Sequence, residues 1–368
     1  MTRYLFLTTT SVFYFLLSSA QPSHSKKRED FDINKFKTRT IEIPLPRQVV
    51  SLNNISMVRV VDARPDTTHI GLFKNKARTP VFISLRNGVT NEVQRFYNGY
   101  LSCNKNAEIE LIAVLRNLWF SEKMETASEY EDNLASEKHR DSTAILIQID
   151  FYLKKINDYF AAYRSDTIVY QLWTESDPQL FRDALMASCS RLSGIDPALP
   201  DYLSKKRKLT WEEITRYNES KFDIPILKDT AHPRGVYLTY DEFRNNAPSI
   251  SDFEIKKDKL IDIVYVRQQD GTFAANRKIW GFSDGKDLYV RFHDNFYLLQ
   301  RLERSYYIYA SRKPYESSQG NGDIISPSSP YSATSPYGSP FGPTGSYSDK
   351  MVYKFSPYRL NWDSGKFF

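Results

Sequence analysis

Ile55-Ser-Met-Val-Arg-Val-Val61, followed at once by Asp62-Ala-Arg-Pro-Asp66, is the stretch that decides the fold. The first segment is rich in apolar and β-branched residues, which is typical of a strand. Pro65 and the acids around it favour a turn where that strand ends. We therefore expect a sheet-based domain that is built outward from this strand and its turn.

The turn carries the first candidate site. Asp62, Arg64 and Asp66 are close in sequence and could form a small charged site at a strand end. An ion pair that only stabilises the turn explains the same residues, and such pairs are common and weak. The structural interpretation is therefore favoured over a functional one.

Further patterns downstream predict more strands and two helices. Strands are expected over residues 80–85, 108–120, 144–153 and 159–173, with Asn157-Asp158 as the turn between the last two. Thr90 fits the N-cap of a first helix that closes at residues 104–106. A second helix is capped by Ser176 or Asp177, has Pro178 in its first turn and ends at Gly194.

This order of elements predicts an α+β fold class. Over residues 41–205 we expect an antiparallel sheet packed by two helices on one face. Residues 21–40 are polar and charged without a clear period, so they are predicted to be a flexible leader.

The chain has two cysteines, Cys103 and Cys189. The patterns place them on the apolar sides of the first and second predicted helices. One disulfide could form if the two helices lie side by side with suitable Cα separation. Two buried free thiols fit the sequence equally well, because free cysteine is commonly buried.

A second, smaller β-rich domain is predicted over residues 206–312. Thr210 and Glu213 have the spacing of a capping box. Asp270-Gly271 and Asp284-Gly285 are strong hairpin-turn signals between aromatic strands, so a meander of about five strands is expected. Trp280, Tyr289 and Phe292 could make an aromatic surface for a sugar or peptide, although burial in a core is favoured because aromatics dominate small cores.

The C-terminal part changes character. Residues 313–350 form an irregular tract of Ser, Pro, Tyr and Gly that cannot bury enough apolar surface to offset its chain entropy, so disorder is predicted. Residues 351–368 regain aromatic content and are predicted to be an aromatic tail. This tail could serve as a docking peptide, a last strand or a loose end.

The first 20 residues have the order of a secretory signal. Arg3 precedes an apolar stretch, and Ser18-Ser-Ala20 supplies the small residues of a cleavage site. The stretch is shorter than the roughly 20 apolar residues of a membrane-spanning helix. We expect export and cleavage after Ala20, no membrane span in the mature chain, and a periplasmic, outer-membrane-associated or secreted location.

Charge and motifs exclude several function classes. The net charge of +6 comes from 50 basic and 44 acidic residues, without the basic stripe of a nucleic-acid-binding protein, so no nucleic-acid partner is expected. Neither phosphate-binding glycine loops nor a nucleophile elbow occur, and the five histidines are scattered. No cofactor, metal or catalytic residue is therefore predicted.

The residues Val58-Arg-Val-Val-Asp-Ala-Arg-Pro-Asp66 with Ile70-Gly71 resemble the opening of the YajG-like envelope lipoproteins. The resemblance covers about residues 50–195 and lacks the lipid-modified cysteine of that family. It implies an envelope location and a non-catalytic role. The C-terminal part, at residues 235–249 and 280–285, is similar to uncharacterised exported bacterial proteins.

Together these observations predict an exported envelope protein that acts as a non-catalytic binding or assembly module. Its expected partner is an envelope protein or cell-wall material, with β-strand addition as the first mode to consider. The alternative is an exported hydrolase whose active site the motifs do not reveal.

Overall fold

The structure is a computed structural model that describes residues 32–75, 79–122, 142–172, 178–195, 200–258, 261–276, 278–293, 295–316 and 351–367. It is a mixed α+β fold with six α-helices and nineteen strands in these residues, as the sequence predicts. The signal peptide predicted over residues 1–20 lies outside the described residues. So do residues 317–350, residues 123–141 and the predicted caps of the second helix, Ser176 and Asp177.

The largest sheet contains the strand that opens the predicted fold, β3 (Met57–Asp62). Seven strands form it in the order β1-β5-β4-β7-β8-β9, and β3 also pairs with β7. The other six strands are β1 (Lys37–Ile41), β4 (His69–Lys74), β5 (Pro80–Leu85), β7 (Ile109–Glu122), β8 (Ser142–Lys155) and β9 (Asp158–Leu172). The short strands β2 (Val50–Leu52) and β6 (Leu101–Cys103) form a separate parallel pair.

The sheet is mixed rather than antiparallel, which corrects the prediction. β1 runs parallel to β5, and both β3 and β4 run parallel to β7. The long strands β7, β8 and β9 are antiparallel neighbours. The predicted leader is also wrong in its second half, because a 3-10 helix (Ile33–Lys35) and most of β1 lie before residue 41.

Two helices cover one face of this sheet, as predicted. They are α1 (Val89–Tyr100) and α2 (Pro178–Ser188). Phe96, Tyr97 and Phe181 are fully buried against sheet residues such as Leu111 and Phe151 in one hydrophobic cluster. This cluster is the main core of the N-terminal part, and burial on this scale is the dominant stabilising term.

The helix boundaries differ from the predicted ones. Gly88, at a φ of 77°, precedes the first turn of α1, so Thr90 lies inside the helix rather than capping it. The helix ends at Tyr100 because Leu101 is extended and enters β6, which pairs with β2. α2 ends at Ser188, and a short 3-10 helix (Leu192–Gly194) reaches the predicted terminus.

The remaining helices are short and lie in the C-terminal half. They are α3 (Pro200–Ser204), α4 (Trp211–Ser220), α5 (Pro225–Lys228) and α6 (Tyr240–Arg244). The capping box predicted at Thr210 and Glu213 is present in α4, with both reciprocal hydrogen bonds. Ile214 of α4 packs on the other face of the large sheet, against residues that include Ile112 and Val114.

The predicted five-stranded meander is divided among three small sheets. The first joins β10 (Gly235–Tyr237), β14 (Gly281–Ser283), β15 (Leu288–Phe292) and β16 (Asn295–Leu298), and the second joins β11 (Phe253–Asp258), β12 (Ile261–Arg267) and β13 (Phe273–Ala275). The third contains β17 (Gln300–Leu302), β18 (Ser305–Glu316) and β19 (Met351–Arg359). Hairpin turns occur at both predicted Asp-Gly pairs, where Gly271 and Gly285 have positive φ.

The last strand changes the interpretation of the C-terminus. β19 pairs antiparallel with β18, so residues 351–359 are a strand of the body, which was one of the alternatives for the aromatic tail. β18 itself extends to Glu316, into the tract predicted to be disordered from residue 313. Asp32–Phe368 form one compact unit. None of the helices that the structure describes is long and apolar enough to cross a membrane.

The close approach of β4 to β7 depends on Gly71. A Cβ atom at this position would lie 2.6 Å from the Cβ of Phe120 and 3.0 Å from its carbonyl oxygen. We expect Gly71→Ala to lower the free energy of unfolding by about 1–3 kcal/mol, because the strands would have to separate. Urea unfolding followed by circular dichroism measures the change.

Gly194→Ala is the matched control for this prediction. A Cβ atom at Gly194 meets no atom within 4 Å, so the control should unfold close to the wild type. Equal stability of Gly71→Ala and Gly194→Ala would show that β4 and β7 do not need this close approach.

Candidate functional site

The predicted charged turn is a buried structural junction. Arg64 donates from Nε and Nη2 to the two carboxylate oxygens of Asp62, each at 2.9 Å. It also donates to the carbonyl oxygens of Thr67 and His69. Arg64 is 3% exposed, so its guanidinium holds the turn together instead of facing a ligand.

Asp66 does not join that ion pair. Its side chain is fully buried and accepts hydrogen bonds from the backbone N–H groups of Thr68 and His69 and from the ring of His69. The hydroxyl of Tyr307 donates to the same carboxylate at 2.9 Å. Burial alone raises the pKa of Asp66, but the hydrogen bonds and charge of His69 and the Tyr307 hydrogen bond bring it below its usual value.

Tyr307 belongs to β18, far from Asp66 in sequence. It connects the C-terminal sheet (β17, β18 and β19) to the large sheet. Its ring lies 5.9 Å from the rings of Phe82 and Trp119. Glu303, in the turn between β17 and β18, accepts hydrogen bonds from the backbone N–H of Thr67 and the hydroxyl of Thr68. The turn therefore anchors the hairpin β17–β18 through polar contacts on two sides.

Arg359, at the end of β19, occupies the same junction. It is 1% exposed, and its guanidinium carbon lies 3.8 Å from the ring centre of Trp119. Its Nη2 donates to Oδ1 of Asn117 at 2.6 Å. A guanidinium stacked on an aromatic face and hydrogen bonded at its edge is a rigid, directed donor.

Arg116, beside Asn117 on β7, is held in an ionic network on the same face of the sheet. Its guanidinium lies within 3.2 Å of Asp150 and 3.1 Å of Asp166. Arg164 makes a two-pronged contact with Asp150 and also donates to the hydroxyl of Tyr217 on α4. The network fixes Arg116 in place while leaving it on the wall of a cavity.

A small cavity of about 30 Å³ lies where these elements meet. Ala63 and Pro65 of the charged turn border it, as do Arg116 and Arg359. The other lining residues come from β7, β8, the end of α4 and the C-terminus: Asn117, Gln148, Asn218, Lys221, Phe222, Leu360, Asn361, Trp362 and Asp363. The cavity combines two guanidinium groups with four side-chain amides.

A second, wider cleft of about 720 Å³ lies at the β8–β9 hairpin. Ile109, Phe160 and Leu203 contribute apolar surface. Its acids are engaged, since Glu108 pairs with Lys155 and Asp158 with Lys208. Both carboxylates of this cleft are therefore held by lysines.

Across the described residues, no group of three or more His, Cys, Asp or Glu side chains is placed to hold a metal ion. The charged turn that the sequence singles out is thus one wall of a site whose other members are a tyrosine, a tryptophan and two arginines. No local pattern in the sequence marks these four residues as members of one site.

The predicted aromatic surface is not assembled. Tyr289 stacks on Phe282 at 4.7 Å in one hydrophobic cluster. Trp280 packs 4.3 Å from Phe243, and Phe292 packs 4.7 Å from Tyr358, both in another cluster. Since Tyr289 and Phe292 lie on opposite faces of β15, these rings serve the cores and do not form a shared platform.

The two cysteines are free thiols in the structure. Cys103 lies on β6 rather than on a helix, and Cys189 follows the last turn of α2. Both contact the main hydrophobic cluster. Burial raises the pKa of Cys189 to about 12, although hydrogen bonds with Ser188 and Tyr97 oppose the shift.

Comparisons with known proteins add little to what the geometry of the site shows. No family model and no curated protein matches the chain. Among solved structures, the chain is similar to the crystal structure of a DUF330 protein from Xanthomonas campestris, with 11% identity and a TM-score of 0.24. The match covers 50% of this chain and 99% of the other. A superposition this loose carries no argument about fold or function.

The buried carboxylate of Asp66 yields a pH-dependent prediction. We expect Asp66→Asn to destabilise the protein by about 1–3 kcal/mol at pH 7, because buried donors lose a charged acceptor. The folded-state pKa lies below the usual 3.8, so the carboxylate contribution is present above that value and is lost as pH falls through the folded pKa. The difference from wild type should therefore shrink as pH falls below about 4.

Urea unfolding at several pH values measures this difference. Asp183→Asn is the control, because its exposed carboxylate pairs only with the adjacent Arg182 in the described structure. A constant difference between Asp66→Asn and wild type across the whole pH range would contradict the assignment.

The thiols allow a direct chemical test. At pH 8, iodoacetamide should modify half-buried Cys103 first, and Cys189 should react only after denaturation, because the thiolate is the reactive form. Mass spectrometry of the unreduced protein provides the control. A mass lower by two hydrogen atoms, with neither residue alkylated after denaturation, would show the alternative of a disulfide instead.

Proposed function

We propose that the protein is an exported, non-catalytic binding or assembly module of the cell envelope, which binds an extended segment of a partner protein along strand β9. The observation that carries this proposal is the long edge of the large sheet. An edge strand presents a row of backbone donors and acceptors that can template another strand. Main-chain hydrogen bonds then supply affinity and alternate side chains supply specificity.

β9 runs for 15 residues at the end of the sheet order. Its first residues are covered, since Tyr159 exchanges two backbone hydrogen bonds with Leu209 and the ammonium of Lys206 donates to the carbonyl of Ala161. Beyond this point, no described residue contributes a backbone partner to the outer edge of residues 163–172. This segment therefore offers an open template of roughly strand length.

The side chains of β9 divide the edge into two halves. Arg164 and Asp166 are engaged with Asp150 and Arg116 on the neighbouring strands. From Thr167 onward the strand carries no charge. Charged residues are the usual protection of an exposed edge, so the second half is the part suited to pairing.

Exposed apolar side chains mark the same half. Ile168 is 40% exposed and Tyr170 46% exposed. Ile168 lies directly across from Leu146 of β8. Apolar residues grouped on a surface indicate an interaction site more strongly than scattered ones do.

The proposed location and partner class follow from the sequence. The N-terminal segment has the pattern of a secretory signal. The resemblance to the YajG-like envelope lipoproteins, carried by Val58-Arg-Val-Val-Asp-Ala-Arg-Pro-Asp66, supports an envelope location. An extended protein segment fits an open strand edge better than a glycan of the cell wall does, because a glycan lacks the matching backbone groups.

A charge at the centre of the edge should abolish binding. We expect tagged wild-type protein to retain a partner from its own envelope fraction. Ile168→Lys should not retain this partner, because lysine on an edge strand opposes pairing. Ile255→Lys is the matched control, since Ile255 is also 40% exposed on an edge strand, β11. Binding of the purified partner is then measured by surface plasmon resonance.

Hydrogen exchange of the complex locates the contact. Protection of amides within residues 163–171 on binding is the expected result. Loss of binding in Ile255→Lys but not in Ile168→Lys, or a complex without protection in β9, would refute the proposal.

A further inference from the structure

We propose that the cavity between Arg116 and Arg359 is a binding site for a carboxylate group. The cavity is lined by β7, β8, the end of α4 and the C-terminal segment, and does not include β9. The inference is therefore independent of strand addition. It concerns a ligand group rather than an extended segment.

The donors of this site come from separate parts of the chain. Arg359 is fixed by its stacking on Trp119 and its hydrogen bond to Asn117. Arg116 is fixed by Asp150 and Asp166. Two guanidinium groups held by different elements on the wall of one cavity form a preorganised pair of donors, and preorganisation lowers the cost of binding.

The shape of the donors suits a carboxylate. A guanidinium matches the two oxygens of a carboxylate with parallel hydrogen bonds. The amides of Asn117 and Gln148, which lie 3.4 Å apart, add neutral polar groups beside it. Asp150 and Asp166 already balance much of the charge of Arg116, so the site suits a monoanion better than a doubly charged phosphate.

The rim of the cavity adds little net charge. Lys221 pairs with Asp363 at 3.2 Å, and both line the cavity. Selectivity for an anionic ligand must then come from the two arginines. Asn218, 6% exposed, has an Oδ1 atom without a hydrogen-bond partner in the described structure, and a water bound beside the carboxylate would satisfy this acceptor.

Electrostatics at Arg359 agree with this assignment. Burial lowers the pKa of Arg359 to about 10, although Tyr307 and Asp66 act in the opposite direction. The group is still protonated at neutral pH, and its desolvated charge is stabilised by any anion that approaches it. A carboxylate in the cavity would occupy that position.

Titration of the full-length mature protein with sodium acetate tests the site. Trp119 contacts Arg359 and Trp362 lines the cavity, so intrinsic fluorescence should report binding. We expect a saturable change with acetate at constant ionic strength, and at least about tenfold weaker responses to sodium chloride and inorganic phosphate. A response to acetate identical to that of chloride overturns the proposal.

Two variants separate binding from folding. Arg116→Gln removes one donor, and Ala63→Leu fills the cavity while leaving every charge in place. Both should weaken acetate binding by at least about tenfold, whereas Ala274→Leu on the exposed part of β13 should bind as wild type does. Circular dichroism confirms that each variant is folded. A folded Ala63→Leu that binds acetate normally contradicts the assignment.

The source of the carboxylate is distinguished with peptides. A Gly/Ser hexapeptide that is acetylated at its N-terminus, amidated at its C-terminus and carries one central Glu is compared with the same peptide containing Gln. Tighter binding of the Glu peptide than of acetate indicates an acidic side chain of a partner, and equal binding indicates a small carboxylic acid. Equal affinity for the Glu and Gln peptides would refute a carboxylate site altogether.

Discussion

The buried hydrogen bond from Tyr307 to Asp66 is the constraint on which the arrangement of this protein depends. A carboxylate without water must receive hydrogen bonds from its surroundings, or its desolvation costs several kcal/mol. Asp66 receives hydrogen bonds both from its own turn and from Tyr307 of strand β18. The C-terminal sheet is therefore part of the condition under which the N-terminal turn is stable.

Arg359 is a second buried charged group whose partners lie on another strand. Its guanidinium is buried on Trp119 and hydrogen bonded to Asn117, so the last strand covers a part of the large sheet that would otherwise expose an aromatic ring. The result is a junction in which polar groups, rather than only apolar contact, determine how the sheets meet. Polar groups give this kind of junction directional specificity, because each needs a partner in a defined place.

Much of the fold could be predicted where local chemistry was decisive. The alternating strands β7, β8 and β9, the capping box at Thr210 and the turns at Gly271 and Gly285 follow from rules that act over a few residues. β1 was missed because its side chains are polar and mostly exposed, and its pairing with β5 involves residues distant in sequence. Parallel pairing and the division of the meander also depend on such distant partners.

The candidate site could be predicted only in part. Asp62, Arg64 and Asp66 stood out by their spacing, and the expected ion pair is present between Asp62 and Arg64. Nothing local showed that Asp66 binds a tyrosine more than two hundred residues away, or that Arg359 is buried, since arginine is rarely buried completely. Trp280, Tyr289 and Phe292 are partly buried against two separate clusters, and composition could not show that Tyr289 and Phe292 lie on opposite faces of β15.

The position of β19 has a consequence for how the chain reaches its native state. Residues 351–359 are synthesised long after Trp119, so the contact between Trp119 and Arg359 forms only after more than two hundred further residues have been made. Contacts between residues so distant in sequence slow folding, because a large loop must lose chain entropy before these contacts stabilise the structure. Until that contact forms, the surface around Trp119 on the nascent N-terminal sheet stays uncovered. Exposed apolar surface of this kind is what chaperones bind.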